Sequence, residues 1–129
     1  MAEASYPADL LYHPDHDWAR VEGDVATFGI TWHAQDALGD VVFVEVPAIG
    51  ALLTQNEPYT EIESVKAVAE VFAPLSGEVI AVNDVLIERP EAINEDPYGE
   101  GWTVKVRVAD GAEASGLLER DAYVASLDE

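Results

Sequence analysis

Apolar and polar residues alternate with a period of two along much of the chain, in short runs closed off by glycine, proline and aspartate; this pattern predicts β-strands. Thr103–Val108 is the cleanest case, with Val104, Val106 and Val108 on one face and Thr103, Lys105 and Arg107 on the other. Ala19–Glu22 and Val25–Ile30 flank Gly23-Asp24 as the arms of a hairpin. Asp40–Val46 ends at Pro47, Glu57–Ser64 and Ala67–Phe72 meet at Val65-Lys66, and Glu78–Val82 follows a turn from Pro74 to Gly77. Helical signals are confined to two places. Thr31 suits the N-cap of a short helix, Trp32–Leu38, stopped by Gly39. Leu117, Leu118, Ala122, Val124, Ala125 and Leu127 predict an amphipathic C-terminal helix. Arg89 to Gly101, with two prolines and two glycines, reads as a long loop. Short strands with small helices at the margins predict a mainly β sandwich or barrel, and 129 residues predict a single domain, 1–129.

A weak internal repeat fits a sandwich with matching halves. Leu38-Gly-Asp-Val-Val-Phe-Val44 resembles Ser76-Gly-Glu-Val-Ile-Ala-Val82, and the segment Pro58 to Lys66 resembles Pro97 to Lys105. Chance likeness between β-prone segments is the alternative.

Charge narrows the class of partner. The chain has 26 acidic and 6 basic residues, a formal net charge of −20, and is repelled by nucleic acid and by anionic membrane. Basic patches on other proteins are its natural partners; acidity that only keeps the chain soluble is the plainer reading, and the two are compatible. No run approaches the ~20 apolar residues of a membrane helix. Met1 to Asp9 has neither the basic start nor the apolar core of a targeting segment, so a cytoplasmic setting is expected. There is no cysteine, which removes disulfides and thiolate metal sites. His13, Asp15, His16 and Asp17 could suggest a metal site, but short polar runs at strand entry are common, and none is expected.

The chain has two lysines, Lys66 and Lys105, at corresponding positions of the repeat. Lys105 sits on the polar face of a regular strand and reads as a solvated side chain. Lys66 falls between two strands, where a two-residue hairpin normally takes Asn-Gly or another pair that tolerates positive φ. A β-branched residue beside a lysine there breaks a local rule, and such breaks tend to mark function; a longer turn with Val65 tucked inward is the alternative. Glu61, Glu63 and Glu70 nearby favour the charged amine, which argues against a Schiff base. Enzyme-made acylation of the tip is compatible with it.

Glu63-Ser-Val-Lys-Ala67, followed by Pro74-Leu-Ser-Gly-Glu-Val79, resembles a lipoyl-attachment signature in the form carried by the glycine cleavage H family. Gly29-Ile-Thr31, Leu38 to Pro47, Pro97-Tyr-Gly-Glu-Gly-Trp102 and His16-Asp-Trp18 resemble segments of the same family, so the likeness spans about Tyr12 to Leu127. The resemblance implies a barrel-sandwich hybrid of two antiparallel sheets, with lipoic acid amide-linked to Lys66. It implies a carrier, not an enzyme, whose partners are a pyridoxal-phosphate glycine decarboxylase, a tetrahydrofolate-dependent aminomethyltransferase, lipoamide dehydrogenase and a lipoate-attachment enzyme. Glu63 and Gly77 would be read by the attachment enzyme. His16, Asp17 and Glu70, with Asp15 beside them, would cradle the aminomethyl-loaded arm; Asp17 stands where the family usually has Glu, and Glu70 where it often has Asp. A monomer is expected. A carrier that relays lipoyl groups to other complexes, or an unmodified β-sandwich interaction module, are the alternatives.

Overall fold

The computed structural model describes residues 6–127. Its strands are β1 Leu11–His13, β2 Asp17–Glu22, β3 Val25–Ile30, β4 Val41–Val44, β5 Leu52–Leu53, β6 Pro58–Ser64, β7 Val68–Phe72, β8 Gly77–Val82 and β9 Val104–Val108. They form two open antiparallel sheets, a six-stranded one ordered β1-β2-β3-β9-β8-β5 and a three-stranded one ordered β4-β6-β7. The fold is therefore the expected mainly β pair of sheets, without closure into a barrel. Helix α1, Trp32–Leu38, lies where the sequence puts it: the Thr31 hydroxyl accepts from the Ala34 N–H, and Gly39 ends the helix with a φ of 79° that other residues rarely adopt.

Alternation decides which face is buried in β6 and β9, whereas β3 is buried along nearly its whole length. In β9, Val104 and Val106 are fully buried and pack with Phe28, Leu75 and Val79 between the sheets. In β6, Thr60, Ile62 and Ser64 turn inward while Glu61 and Glu63 face solvent. Ile62 joins a second cluster with Ile30, Leu38, Val41, Val44 and Val71. Thr103 departs from the expected polar face. It is buried, and its hydroxyl donates to the Phe28 carbonyl and pairs with the Tyr59 hydroxyl, so its polarity is spent inside the fold.

Arg89 to Gly101 is not a featureless loop. One single-turn helix, α2 Val85–Glu88, lies just before it and another, α3 Ala92–Glu95, within it; together they place Leu86, Ala92 and Ile93 in the second cluster. Asn94 accepts from the Val41 N–H at 2.9 Å and donates to the Gly39 carbonyl at 2.8 Å and to Gln35 at 3.0 Å, pinning the corner between α1 and β4.

The C-terminal helix starts later than its apolar residues predict. Leu118 makes a two-bond bridge to Tyr12, which extends the sheet edge, and helix α4 runs Arg120–Leu127 with Tyr123 as its buried residue. Ala122 and Ala125 are exposed, so the predicted stripe is not the buried face. The repeat holds only in part. Its first segments become β4 and β8, but Pro58 to Ser64 is a strand whereas Pro97 to Thr103 contains none; Lys66 and Lys105 therefore lie in unlike places.

Candidate functional site: a lysine tip beside a sheltered cleft

Lys66 occupies the tip of the β6–β7 hairpin and is exposed. The turn does not use positive φ at Val65 or Lys66. It is built on Ser64, whose Oγ accepts from the N–H of Lys66 at 3.3 Å and of Ala67 at 3.1 Å, while the Ser64 N–H donates to the Ala67 carbonyl. This serine turn explains why Val65-Lys66 is tolerated without Asn-Gly. Val65 is not tucked inward; its side chain is exposed, and its N–H donates to the Asp40 carbonyl. That bond fastens the tip to the α1–β4 corner held by Asn94. The lysine stem lies across Gly39, where a β-carbon would sit 3.3 Å from Cε of Lys66.

Leu38, the neighbour of Gly39, lines a cleft of about 230 Å³. Ile30, Ala34, Ala37, Ala69 and Val71 form its other apolar walls; Asp15, His16, Asp17 and Glu70 supply the polar groups. The four residues proposed as a cradle are thus brought to one cleft. They are not equivalent there. Asp17 is 1% exposed, and both of its carboxylate oxygens are buried without a hydrogen-bond partner. Burial, and then the negative charge of Asp15, push its carboxyl well above the usual carboxylate range. His13 Nδ1 lies 3.7 Å from Asp17 Oδ1, beyond hydrogen-bond distance. Nδ1 of His13 accepts from the Asp15 N–H at 3.0 Å, which puts the ring proton on Nε2, where it bonds Asn56 at 2.6 Å. Glu70, exposed on β7 between inward-facing Ala69 and Val71, sits at the rim, opposite Glu61.

His16 adopts a left-handed φ of 75° that presents its ring at the cleft. The ring stands 4.4 Å from that of His33, and Nδ1 is 2.8 Å from the Tyr123 hydroxyl. Burial, then the charge of His33, hold its imidazole below the ordinary range.

Glu63 is exposed three residues before the lysine, flanked across the sheet by Phe43 and Val68. Gly77 is not in a turn, as its place after Pro74 suggested. It lies within β8, and a β-carbon there would meet the Arg107 carbonyl oxygen at 2.3 Å, so glycine is needed for close approach to β9. Lys105 is half-buried, 5.4 Å over the Trp102 ring, rather than freely solvated. Among the described residues no cluster of His, Asp or Glu is placed to hold a metal ion, and no helix is long and apolar enough to cross a membrane. Sequence reasoning missed two residues of the site, Asn94 and Tyr123. A lone asparagine in a loop and a lone tyrosine in a helix carry no periodic signal.

A two-sheet β fold that offers an exposed lysine on a hairpin tip, beside a cleft with apolar walls and one buried carboxyl, has the form of a carrier protein, a class in which the chemistry belongs to an attached group rather than to side chains. A family model described as Glycine cleavage H-protein matches residues 10–129. The chain is 53% identical to the glycine cleavage system H protein of Rubrobacter xylanophilus, over 98% of each chain. It is 55% identical to the probable one of Haloarcula marismortui, over 91% of this chain and 92% of the relative. The crystal structure of a glycine cleavage system H protein from Mycobacterium marinum superposes with a TM-score of 0.84 at 35% identity, covering 95% of this chain and 99% of that one. The chain belongs to the glycine cleavage H-protein family. It is accordingly a carrier in glycine cleavage and not itself a catalyst.

Proposed function

We propose that Lys66 carries lipoic acid and that this chain shuttles an aminomethyl unit from a pyridoxal-phosphate glycine decarboxylase to a tetrahydrofolate-dependent aminomethyltransferase, with lipoamide dehydrogenase resetting the carrier. The observation that carries the reading is the lysine stem lying across Gly39 at the edge of a cleft that holds an unpartnered, buried carboxyl. A hydrocarbon arm with a cationic amine at its end suits that cleft. When bound, the lipoyl group supplies a redox-active disulfide that takes up the one-carbon amine as carbon dioxide leaves and gives it up to folate.

The chain's residues do the rest. Ser64 and the Asp40 carbonyl hold the tip in one conformation, so an attachment enzyme meets a formed substrate. Glu63 offers that enzyme an acceptor beside the lysine, and Gly77 lets β8 and β9 close up behind the hairpin. Ile30, Ala34, Leu38, Ala69 and Val71 exclude water from the cleft. Burial favours the protonated form of the Asp17 carboxyl. An ammonium group entering the cleft gives the carboxyl a partner and lets it ionise, with His16 beside it and Glu70 at the rim. The acidic surface speeds encounter with basic partners, an effect that falls with salt. We place this work in the cytoplasm, on a monomer that is one domain over 1–129.

Reconstituted glycine decarboxylation tests the reading. Lys66→Arg protein should fold and support none of it, and Lys105→Arg should support it normally. Activity retained by Lys66→Arg would overturn the proposal.

A further inference from the structure

The two walls of the cleft come from different parts of the fold. His16 belongs to the β1–β2 turn, and Ala34, Ala37 and Leu38 belong to α1. One hydroxyl joins them from behind. Tyr123 Oη lies 2.8 Å from His16 Nδ1 and 2.8 Å from Thr31 Oγ1, the side chain that caps α1. A phenol has a single proton to donate, so it donates to one of these partners and accepts from the other, and the three groups are satisfied only as a set. The Tyr123 ring is fully buried, stacked on Tyr12 at 4.7 Å and 9° and tilted against Tyr6 at 5.7 Å. The hydroxyl is therefore fixed by ring packing before it touches the cleft.

His16 needs such a hold. Its left-handed φ is unfavourable for a residue with a β-carbon, and His16 lines the cleft. Moving that ring changes what the cargo meets beside Asp17. Moving Thr31 loosens the first turn of α1, the helix that carries Leu38 and ends at Gly39, over which the Lys66 stem lies. Packing alone would explain a phenylalanine at 123; the two bonds to opposite walls are what the hydroxyl adds.

We propose that Tyr123, resting on the carrier reading above, is a positioning residue for the cleft: from the C-terminal helix it sets the His16 ring and the α1 cap, and so the shelter for the loaded arm. The test begins with Tyr123→Phe protein lacking the lipoyl group. It should melt in one cooperative transition, as the wild type does. The ring nitrogen NMR signals of His16 should shift, and amide exchange at Ala34 should speed up about fivefold, the factor one ordinary hydrogen bond supplies. Both readouts are independent of what Lys66 carries. In lipoylated protein loaded from glycine, the same change should shorten the lifetime of the loaded form. His16→Ala should remove most of that further effect, because Tyr123 acts through His16.

Folded Tyr123→Phe protein with unaltered His16 and Ala34 signals would overturn the proposal. So would a lifetime effect that simply adds to that of His16→Ala. Should the phenylalanine variant fail to fold, Thr31→Ser and Thr31→Val probe the same hydroxyl from its other partner. Serine should preserve the His16 signals and valine should shift them; equal behaviour would overturn the proposal. Loss of lifetime effects because no lipoyl mass is found on Lys66 would refute the carrier reading instead, leaving the ring and exchange results to decide the role of Tyr123.

Discussion

Replacing Asp17 by asparagine should make the protein more stable as pH rises, relative to the wild type, while impairing its cleft. The wild-type carboxyl is buried without a hydrogen-bond partner, and its folded pKa lies above the unfolded value because burial penalises the charged form. The folded state therefore binds a proton that the unfolded state has released. Stability supplied by that proton is complete below the ordinary aspartate pKa and declines as pH rises through the window up to the raised folded value. Within the window the slope approaches ~1.4 kcal/mol per pH unit for one proton. With an unfolding entropy of roughly 2.1 cal/mol/K per residue, 129 residues give about 0.27 kcal/mol/K, so each pH unit is worth ~5 °C in melting temperature. Asparagine is nearly isosteric with the protonated acid and has nothing to titrate, so subtracting the two stability–pH curves cancels most other groups. Urea titrations of both proteins at half-unit pH steps from acid to neutral provide the assay. The difference should open in favour of asparagine as pH rises and flatten above the folded pKa. Parallel curves would show that Asp17 ionises as readily in the fold as outside it, and that burial does not raise its pKa.

Other consequences are more local. Gly77→Ala forces a β-carbon against the Arg107 carbonyl; over-packing of this kind costs about 1–3 kcal/mol, a fall of roughly 4–11 °C by the same conversion, and an unchanged melt would remove the close-approach argument. Glu63→Ala changes an exposed side chain and should leave stability within about 0.5 kcal/mol, yet slow lipoylation by the attachment enzyme; an unchanged rate would mean that the enzyme reads the hairpin's shape. Asp17→Asn combined with Glu70→Gln should be lipoylated normally but hold its loaded form for a shorter time, and an equal lifetime would exclude these carboxyls from the cradle.

What was legible in the sequence follows from where the physics is local. β-prone runs between turn signals located β2, β3, β4 and β6 to β9, and in β9 alternation also gave the buried face; β2 and β3 do not alternate in burial, so their faces were not legible that way. A capping threonine and a stopping glycine located α1 to the residue. Elements held by tertiary contacts alone were not legible. β1 and the two-residue β5 are too short to show a period, and α2 and α3 straddle Pro90 and exist through the burial of Leu86, Ala92 and Ile93. The C-terminal helix misled because Leu117 and Leu118 lie before it, in the core and in the bridge to Tyr12, while Tyr123 is the residue it buries. At the site, Lys66 stood out through a broken turn rule, but the repair by the Ser64 hydroxyl needed coordinates. The resemblance named Asp17; that its carboxyl is deep and unpartnered, whereas Glu70 lies at the rim, depends on strand parity and packing between distant segments.

Peptide-level mass spectrometry of the chain isolated from its native cells reads the state of both lysines. The peptide containing Lys66 should carry a lipoyl amide, and Lys105 should be unmodified. A chain carrying no lipoyl group in cells that are actively cleaving glycine, or one carrying it at Lys105, would contradict the assignment of the lipoyl group to Lys66.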